Sequence, residues 1–253
     1  MRIDLNSDLG EGFGPWSMGD EDAMLAIVTS ANIACGGHAG DPGTMFKTLT
    51  LARDNGVTVG AHPGYADPIG FGRRVIPMPA DDIARMCAAQ IGALRGVAAL
   101  VGVPVSYVKP HGALANLAAR DRTAADAIVA AVQKIDASLA VLAISGTQTE
   151  QAARAAGVRT YSEVFADRGY LSSGQLVPRD RPGAMIHDAE EAASRLLSFL
   201  ETSLMPVMDG DPIELAAQSI CVHGDSVGAV AMARTIRERL TAQGVRIASF
   251  MDG

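Results

Sequence analysis

Residues 30–62 read SANIACGGHAGDPGTMFKTLTLARDNGVTVGAH and contain two short apolar runs that flank a segment of helix length. Asp41 followed by Pro42 is a typical helix start, because Asp caps the first amides and proline suits the first helical position. This pattern predicts a strand at Ser30–Ala34, a helix at Pro42–Asn55 and a strand at Val57–Ala61. A strand–helix–strand order indicates two parallel strands joined by a right-handed crossover.

The same alternation continues in both directions along the chain. It predicts further strands at Arg2–Asn6, Ser106–Lys109, Ala140–Ile144, Arg159–Glu163, Ser219–Val222 and Arg246–Phe250. It predicts further helices at Glu21–Val28, Asp81–Val101, Thr123–Ile135, Thr147–Ala156, Asp188–Leu204 and Val227–Gln243. Seven or eight strands in this length predict an α/β fold, a TIM-like (β/α) barrel that forms one domain over residues 1–253. An open doubly wound sheet is the alternative.

Composition excludes several classes of function. The net charge is -7 and Lys and Arg are not clustered, which argues against binding to a nucleic-acid backbone. No apolar run reaches the roughly 18 residues of a transmembrane helix, and the N-terminus lacks the pattern of a signal peptide. Three cysteines, Cys35, Cys87 and Cys221, provide no disulfide framework. We therefore expect a cytoplasmic protein.

Polar residues follow most of the predicted strands. Four of the five histidines lie at strand C-termini beside glycines, and His187 is the exception. A single histidine is more often structural, but four in register favour a shared function. Since strand C-termini converge on one face of a barrel, one pocket is expected to receive these residues: His38, His62, His111, His223, Asp8, Glu11, Lys109, Glu163 and Asp225.

Asp8 and Glu11 lie three residues apart on a segment flanked by glycine. Two carboxylates held close together can differ in pKa and act as an acid–base pair; a solvated turn or a helix cap is the alternative. Lys109 ends an apolar strand, which predicts either a lowered pKa or a clamp for an anionic group. The alternative for Lys109 is a salt bridge to Glu163 or Asp8.

Two further pairs of charged residues lie in predicted loops. Arg73 and Arg74 follow a Gly-Phe-Gly turn, where they could bind a substrate carboxylate or form surface ion pairs. Asp167 and Arg168 are expected to pair with each other or with the loop backbone.

Several catalytic motifs are absent from the sequence. It contains no G-x-x-x-x-G-K-[ST] loop, no G-x-S-x-G nucleophile elbow and no H-E-x-x-H zinc helix. The histidines and carboxylates could bind a divalent metal, although no two histidines have the i, i+4 spacing of a helical metal site. Cys35 and Cys221 are expected to be small buried apolar residues rather than nucleophiles.

Seven blocks of sequence together resemble the LamB/YcsF family, the family of 5-oxoprolinase A subunits. They cover residues 4–11, 31–41, 60–64, 70–74, 108–114, 165–170 and 222–225. The first three blocks together are specific, and the resemblance extends from residue 4 to about residue 250. One departure is Ala115, which stands where family members usually have Tyr.

The resemblance implies a barrel similar to the glycoside hydrolase/deacetylase group and a link to carbohydrate metabolism. It also implies ATP-dependent opening of 5-oxoproline to glutamate, with two partner subunits, of B and C type, that resemble allophanate hydrolase halves. ATP would be a co-substrate of the complex. Because this chain shows no nucleotide loop, the activation by ATP could lie on a partner.

The site hypothesis assigns catalysis to Asp8, Glu11, Lys109 and His111. Asp8 or Glu11 would position water, and Lys109 and His111 would stabilise developing charge. The substrate-binding residues would be Asn6, His38, His62, Arg73, Glu163, His223 and Asp225.

Two other functions remain open at this point. One is a metal-dependent deacetylase or amidohydrolase that acts without partners and binds its metal through His38, His62 and Asp8. The other is a regulatory or scaffold role, which the convergence of so many ionisable groups disfavours.

Overall fold

The computed structural model describes residues 1–224 and 228–252. The strands are β1 Arg2–Leu9, β2 Ser30–Ala34, β3 Thr58–His62, β4 Val105–Val108, β5 Ala140–Ile144, β6 Thr160–Phe165, β7 Leu204–Met205, β8 Ile213–Glu214, β9 Ser219–Cys221 and β10 Arg246–Ile247. The helices are α1 Glu21–Leu25, α2 Pro42–Asp54, α3 Ala80–Val101, α4 Gly112–Ala118, α5 Arg122–Ile135, α6 Gln148–Ala155, α7 Ala189–Thr202 and α8 Ala229–Ala242.

The sheet closes on itself through β1. One edge of β1 pairs with β2 and the other pairs with β9, and β9 also pairs with β6. All of these pairings are parallel, so β1 to β6 and β9 form a closed barrel of seven strands. The predicted (β/α) barrel is confirmed, and the alternative of an open doubly wound sheet is wrong. That the whole chain is one domain stays a prediction.

The predicted eighth strand does not enter the barrel. β10 pairs with Arg2 and Ile3, whereas β9 pairs with the next three residues of the same edge of β1. The strand is also shorter than the predicted Arg246–Phe250, because β9 occupies the edge beyond Ile3. It therefore extends the sheet only at the N-terminal end of β1.

Three local features differ from the expectations. β1 continues to Leu9 because Asp8 and Leu9 pair with Asn32 and Ile33, so Asp8 lies in a strand and not in a loop. Helix α4 was not predicted, since it has only seven residues and begins at the glycine of a Pro-His-Gly sequence. The antiparallel hairpin of β7 and β8 was missed because each of its strands has two residues.

Helix α3 is long and apolar enough to cross a membrane by length and composition alone. In the fold it packs against α2, α5, β3 and β4. Ile83, Cys87, Ile91 and Leu94 recur at helical spacing and are fully or almost fully buried. The apolar character of α3 is therefore explained by its place in the helical layer around the barrel.

The interior of the barrel is polar. Successive residues of a strand point to opposite faces, so Asp4, Asn6 and Asp8 share the inner face of β1. All three are buried, and the Asn6 side chain reaches partners on β2 and β9. Polar layers thus occupy a space that branched aliphatic side chains fill in most barrels.

Candidate active site

Lys109 lies directly after β4 and is 4% exposed. Its Nζ is 3.0 Å from Asp8 Oδ1, 3.0 Å from Glu163 Oε2, 3.1 Å from Asn6 Oδ1 and 3.2 Å from Cys221 Sγ. Burial alone would lower the pKa of Lys109, but Asp8, Cys221 and Glu163 raise it well above its ordinary value. The predicted lowering of this pKa is wrong, and the alternative of salt bridges to both carboxylates is correct.

Three nitrogen atoms lie close to the carboxylate of Asp8. Asn32 Nδ2 donates to Oδ1 over 2.8 Å, Lys109 Nζ donates to the same oxygen, and His62 Nε2 lies 3.3 Å from Oδ2. Burial works to raise the pKa of Asp8, but His62 and Lys109 outweigh it and hold the pKa well below its ordinary value. Asp8 is therefore ionised and is a poor proton acceptor.

Glu163 shares Lys109 with Asp8 but has fewer donors. Besides Lys109, only a 3.3 Å hydrogen bond from Asn6 Nδ2 is found for its carboxylate among the described residues. Burial raises the pKa of Glu163 by more than Lys109 and Asn6 lower it, so the pKa is raised above its ordinary value. Asp8 and Glu163 are thus two carboxyl groups whose pKa values are shifted in opposite directions, as in acid–base pairs. The expected acid–base pair of Asp8 and Glu11 stays a prediction.

Three of the predicted histidines form a cluster around Glu11. The rings of His38 and His111 stack with centroids 3.6 Å apart, and His62 meets both rings edge-on. Glu11 Oε1 lies 3.1 Å from His38 Nε2 and 3.5 Å from His111 Nδ1. The convergence predicted from the strand ends is present for these four residues.

Two glycines allow the stack of His38 and His111. A Cβ at Gly64 would lie 2.8 Å from His38 Nδ1, and a Cβ at Gly72 would lie 2.7 Å from His38 Cβ. Gly72 also has a φ of +61°, which side chains rarely adopt. Both loops therefore reach the rings only because these residues are glycines.

Backbone carbonyls determine the tautomers of two of these rings. The Lys109 carbonyl accepts from His62 Nδ1 over 2.7 Å, and the Phe71 carbonyl accepts from His111 Nε2 over 2.9 Å. The remaining nitrogens, His62 Nε2 and His111 Nδ1, face each other over 3.0 Å. Two lone pairs at this distance need a proton or a cation between them.

The cluster has the donor set of a metal site. One ligand atom from each of Glu11, His38, His62 and His111 lies within 4.8 Å of all the others. Burial and the neighbouring histidines hold the pKa values of His38 and His111 well below the ordinary value, so both rings are neutral, as ligation requires. Three imidazoles and one carboxylate suit zinc or a similar divalent ion. These four residues could hold a metal.

A cavity of about 390 Å³ opens above Lys109. Its floor consists of Asp8, Glu11, Lys109, His111 and Glu163, together with His62. Four basic side chains, here called the arginine wall, also line the cavity together with Asp180: Arg73, Arg168, Arg179 and His223. Apolar side chains complete the lining, among them Ala113, Ile144, Phe165 and Leu176.

His223 forms a pair that the sequence did not suggest. Asp167 accepts from His223 Nδ1 over 2.8 Å, and His223 Nε2 accepts from Arg179 Nη2 over 3.0 Å. Asp167 therefore does not pair with Arg168. Arg168 instead donates to the carbonyls of Ala184 and Val177, the second of the two expected alternatives. Arg179 has no sequence signal, since it lies in a polar loop without a motif.

Not every predicted binding residue lines the cavity. Among the described residues, Asn6 and His38 lie outside its lining and support Lys109 and Glu11 instead. Arg73 lines the cavity, with its guanidinium 4.9 Å above the Phe71 ring. Arg74 forms the alternative surface ion pair, to Asp67. Asp225 falls outside the described residues.

The buried cysteines have the properties expected of thiols that do not react. Burial raises the pKa of Cys87 to about 12. It raises the pKa values of Cys35 and Cys221 further. A nucleophilic cysteine needs the opposite shift.

Comparison with known proteins agrees with this architecture. The model of the LamB/YcsF family matches residues 3–253. The chain belongs to the LamB/YcsF family. It is 49% identical over 248 residues to a 5-oxoprolinase A subunit of Agrobacterium fabrum, covering 98% of this chain and 97% of that protein. It is 51% identical over 251 residues to the 5-oxoprolinase A subunit of Nocardia farcinica, covering 99% and 100%.

Solved structures place this LamB/YcsF protein among similar barrels. The lactam utilization protein from Thermus thermophilus has a TM-score of 0.93 at 42% identity, over 99% of this chain and 100% of that one. An Enterococcus faecalis protein assigned to cellobiose-phosphate cleavage has a TM-score of 0.61 at 13% identity, over 99% and 97%. That second likeness shows the fold alone, so the expected link to carbohydrate metabolism is unsupported.

Proposed function

We propose that this chain is the A subunit of an ATP-dependent 5-oxoprolinase that opens 5-oxoproline to L-glutamate. The names of relatives at about half identity over nearly the whole chain support this function. Because those relatives are named as one lettered subunit of an enzyme, further subunits are implied, and we propose two, of B and C type. We also propose that the complex works in the cytoplasm on a small molecule, without nucleic acid or membrane.

The lactam of 5-oxoproline is unstrained, so its hydrolysis needs coupling to ATP. In the proposed reaction, the lactam oxygen attacks the γ-phosphorus of ATP on one of the partners, with ADP as the leaving group. Water then adds to the former carbonyl carbon, and the C–N bond breaks as the ring nitrogen takes a proton. The resulting acyl phosphate reacts with a second water molecule and yields glutamate and inorganic phosphate.

One observation carries the assignment of chemistry to this chain: Lys109 is held at the cavity floor between Asp8, whose pKa is lowered, and Glu163, whose pKa is raised. Lys109 can stabilise negative charge that develops on the substrate. Glu163 can give its proton to the leaving ring nitrogen. Asp8 keeps Lys109 charged and in place.

The remaining predicted residues have roles that follow from their positions. Glu11 and His111 meet at the floor and can orient the attacking water, with His62 beside them. Arg73 and His223 lie on the arginine wall and can contact the anionic parts of the substrate. His38 holds Glu11, and Asn6 holds Lys109. We propose a substrate-binding role for Asp225 on the basis of the sequence alone.

The direct test is conversion of 5-oxoproline to glutamate by this chain mixed with its two partners and ATP. We expect glutamate only when all three proteins and ATP are present. A folded, complete mixture that leaves 5-oxoproline unchanged would contradict the proposal.

A second candidate function is a metal-dependent amide hydrolase that acts alone, and the cluster of Glu11 with three histidines favours it. These four residues would hold the ion; of the ligands expected from the sequence, His38 and His62 belong to the cluster and Asp8 does not. A bound divalent ion would supply water of lowered pKa or polarise the amide oxygen. Stoichiometric metal together with amide hydrolysis in the absence of ATP and partners would support this candidate. Purified chain that is metal-free and inactive alone would exclude it.

A further inference from the structure

Gln90 is a polar residue on the buried face of helix α3. It lies among Cys87, Ile91 and Leu94, which repeat at helical spacing and pack into the core, and it is only 8% exposed. Burying an amide costs free energy unless its donor and its acceptor both find partners. A glutamine at this position therefore needs specific partners, and these partners show where the side chain acts.

Both partners of Gln90 belong to one residue of the loop that follows β3. The Gly64 N–H donates to Gln90 Oε1 over 3.0 Å, and Gln90 Nε2 donates to the Gly64 carbonyl over 2.7 Å. An amide can satisfy both groups at once, because it carries a donor and an acceptor side by side. Helix α3 thus holds the backbone of this loop directly.

The same amide also lies against the loop that follows β2. A Cβ at Gly37 would lie 2.4 Å from Gln90 Oε1 and 2.7 Å from Gln90 Nε2, so the side chain fits here only because residue 37 is glycine. Gly37 directly precedes His38. Gln90 therefore lies between two loops, one that carries His38 and one that follows His62.

The backbone of the loop after β3 determines where the stacked rings lie. The His111 N–H donates to the Pro63 carbonyl over 2.8 Å. A Cβ at Gly64 would lie 2.8 Å from His38 Nδ1 and 3.2 Å from His111 Cβ, so the backbone at this residue contacts both members of the stack. A displacement of this loop would therefore move the rings relative to Glu11.

We propose that Gln90 is a positioning residue, which holds the loops after β2 and β3 so that His38 and His111 stack and face Glu11. This inference rests on the proposed function, in which Glu11 and His111 orient the attacking water. Gln90 lies outside the described lining of the cavity, so it acts on the reaction only through the geometry of the two rings.

The ring signals of the histidines provide a test on the full chain without partners. The chain has five histidines, so protein labelled at histidine gives five sets of ring signals in an NMR spectrum. Two rings stacked with centroids 3.6 Å apart shift each other's signals, because each lies in the ring current of the other. We would compare the wild type with Gln90→Met after dialysis against EDTA, at a temperature well below unfolding. Single histidine substitutions would assign the signals.

Gln133→Met is the matched control. Gln133 Nε2 donates to the Ala156 carbonyl over 3.2 Å, so this change also removes a hydrogen bond from a helix to the backbone of another segment, but outside the site. Gln90→Met keeps the length of the side chain while it removes both bonds to Gly64. A second variant, Gln90→Asn, keeps the amide but is one carbon shorter, and it decides the test if Gln90→Met does not fold.

We expect the ring signals of His38 and His111 to shift in both Gln90 variants. The signals of His187 and His223, and every signal of the control, should stay in place. A folded Gln90 variant with unchanged signals from the stacked rings would overturn the inference. A shift of all five sets would also overturn it, because such a shift indicates a general loss of structure and not the positioning of two rings.

The complete mixture separates this inference from the proposed function. A small displacement of a catalytic group can lower a rate about a hundredfold, so we expect both Gln90 variants to form glutamate at least about tenfold more slowly, mainly through kcat. Shifted rings with an unchanged rate would overturn the positioning role. Absence of glutamate from the wild-type mixture would contradict the proposed function, whereas the ring signals would still decide whether Gln90 holds the two histidines.

Discussion

Asp4 and Asp8 lie on the same face of β1, and both are buried, yet their pKa values are shifted in opposite directions. Asp4 receives hydrogen bonds from the hydroxyls of Thr29, Ser30 and Ser219. Burial outweighs these hydroxyls, and the pKa of Asp4 rises to about 6. The pKa of Asp8 lies well below its ordinary value because His62 and Lys109 face it and outweigh burial. Burial acts on both carboxyl groups in the same direction, so their neighbours decide the difference.

The two carboxyl groups divide the barrel interior into two layers. The lower layer, around Asp4, consists of hydroxyl groups and joins strands β1, β2 and β9. The upper layer, around Asp8, contains the charges that line the cavity floor. Ser219 and Asn6 connect the layers, since Asn6 Nδ2 donates to Ser219 Oγ over 2.7 Å. We infer that the lower layer supports the strands and that the upper layer performs the chemistry.

The largest expected effect comes from removing the cation of the upper layer. Lys109→Met leaves Asp8 and Glu163 buried without their shared partner, so we expect a loss of about 3–5 kcal/mol in the free energy of unfolding. Urea denaturation at pH 7.5 would measure it. Lys47→Met, at an exposed position of α2, should change stability by less than about 0.5 kcal/mol. Equal stability of Lys109→Met and wild type would refute the charged upper layer.

A smaller effect should appear in the pH dependence of stability. The pKa of Asp4 in the folded state lies above 3.8. Its contribution to the free energy of unfolding is therefore fully present below pH 3.8 and is lost as the pH rises through about 6. Asp4→Asn should therefore gain stability relative to wild type between pH 4 and pH 7, by up to about 3 kcal/mol.

Asp8→Asn should show the opposite trend. The pKa of Asp8 is lower in the folded state than in the unfolded state. Its contribution to the free energy of unfolding is therefore present above the pKa of the unfolded state and is lost as the pH falls through the pKa of the folded state. The free energy of unfolding of Asp8→Asn is expected to be lower than that of wild type at neutral pH, and this difference should become smaller in acid. Denaturation curves at several pH values would measure both variants, and parallel trends for the two would show that their environments do not differ.

The smallest effect is expected at Ser219. Ser219→Ala removes one donor to Asp4 and the acceptor for Asn6, while Lys109 keeps its other partners. We expect a loss of about 1 kcal/mol, the typical net value of a hydrogen bond, with little change in the rate of glutamate formation. A large loss of rate with unchanged stability would mean that the lower layer takes part in the chemistry.

Much of the fold could be predicted from the sequence because strand and helix periodicities differ and recur along the chain. Closure of the barrel could not be predicted, because it depends on the pairing of β9 with β1, and these two strands are about two hundred positions apart in the sequence. Convergence of His38, His62 and His111 followed from their positions at strand ends. Their approach to Glu11 depends on loop geometry that the sequence does not display.

Charge states were the least predictable feature of the site. The sequence indicated that Lys109 would meet Asp8 or Glu163, but the direction of its pKa shift depends on both carboxylates lying within 3.0 Å. The pair of Asp167 and His223 joins residues separated by 56 positions, which no local pattern reveals. Spacing along the chain identified the strand ends, whereas distances across the barrel determine the chemistry.

The most direct test of this account compares Asp8→Asn with Asp4→Asn in the complete mixture of subunits, 5-oxoproline and ATP, with the rate of glutamate formation as the readout. Both changes replace a buried carboxylate of β1 with an amide of the same shape. We predict at least about a hundredfold lower rate for Asp8→Asn, because Lys109 loses its ionised partner at the cavity floor. Asp4→Asn should stay within a few-fold of wild type. An unchanged rate for Asp8→Asn, or equal losses for both variants, would contradict the assignment of catalysis to the upper layer.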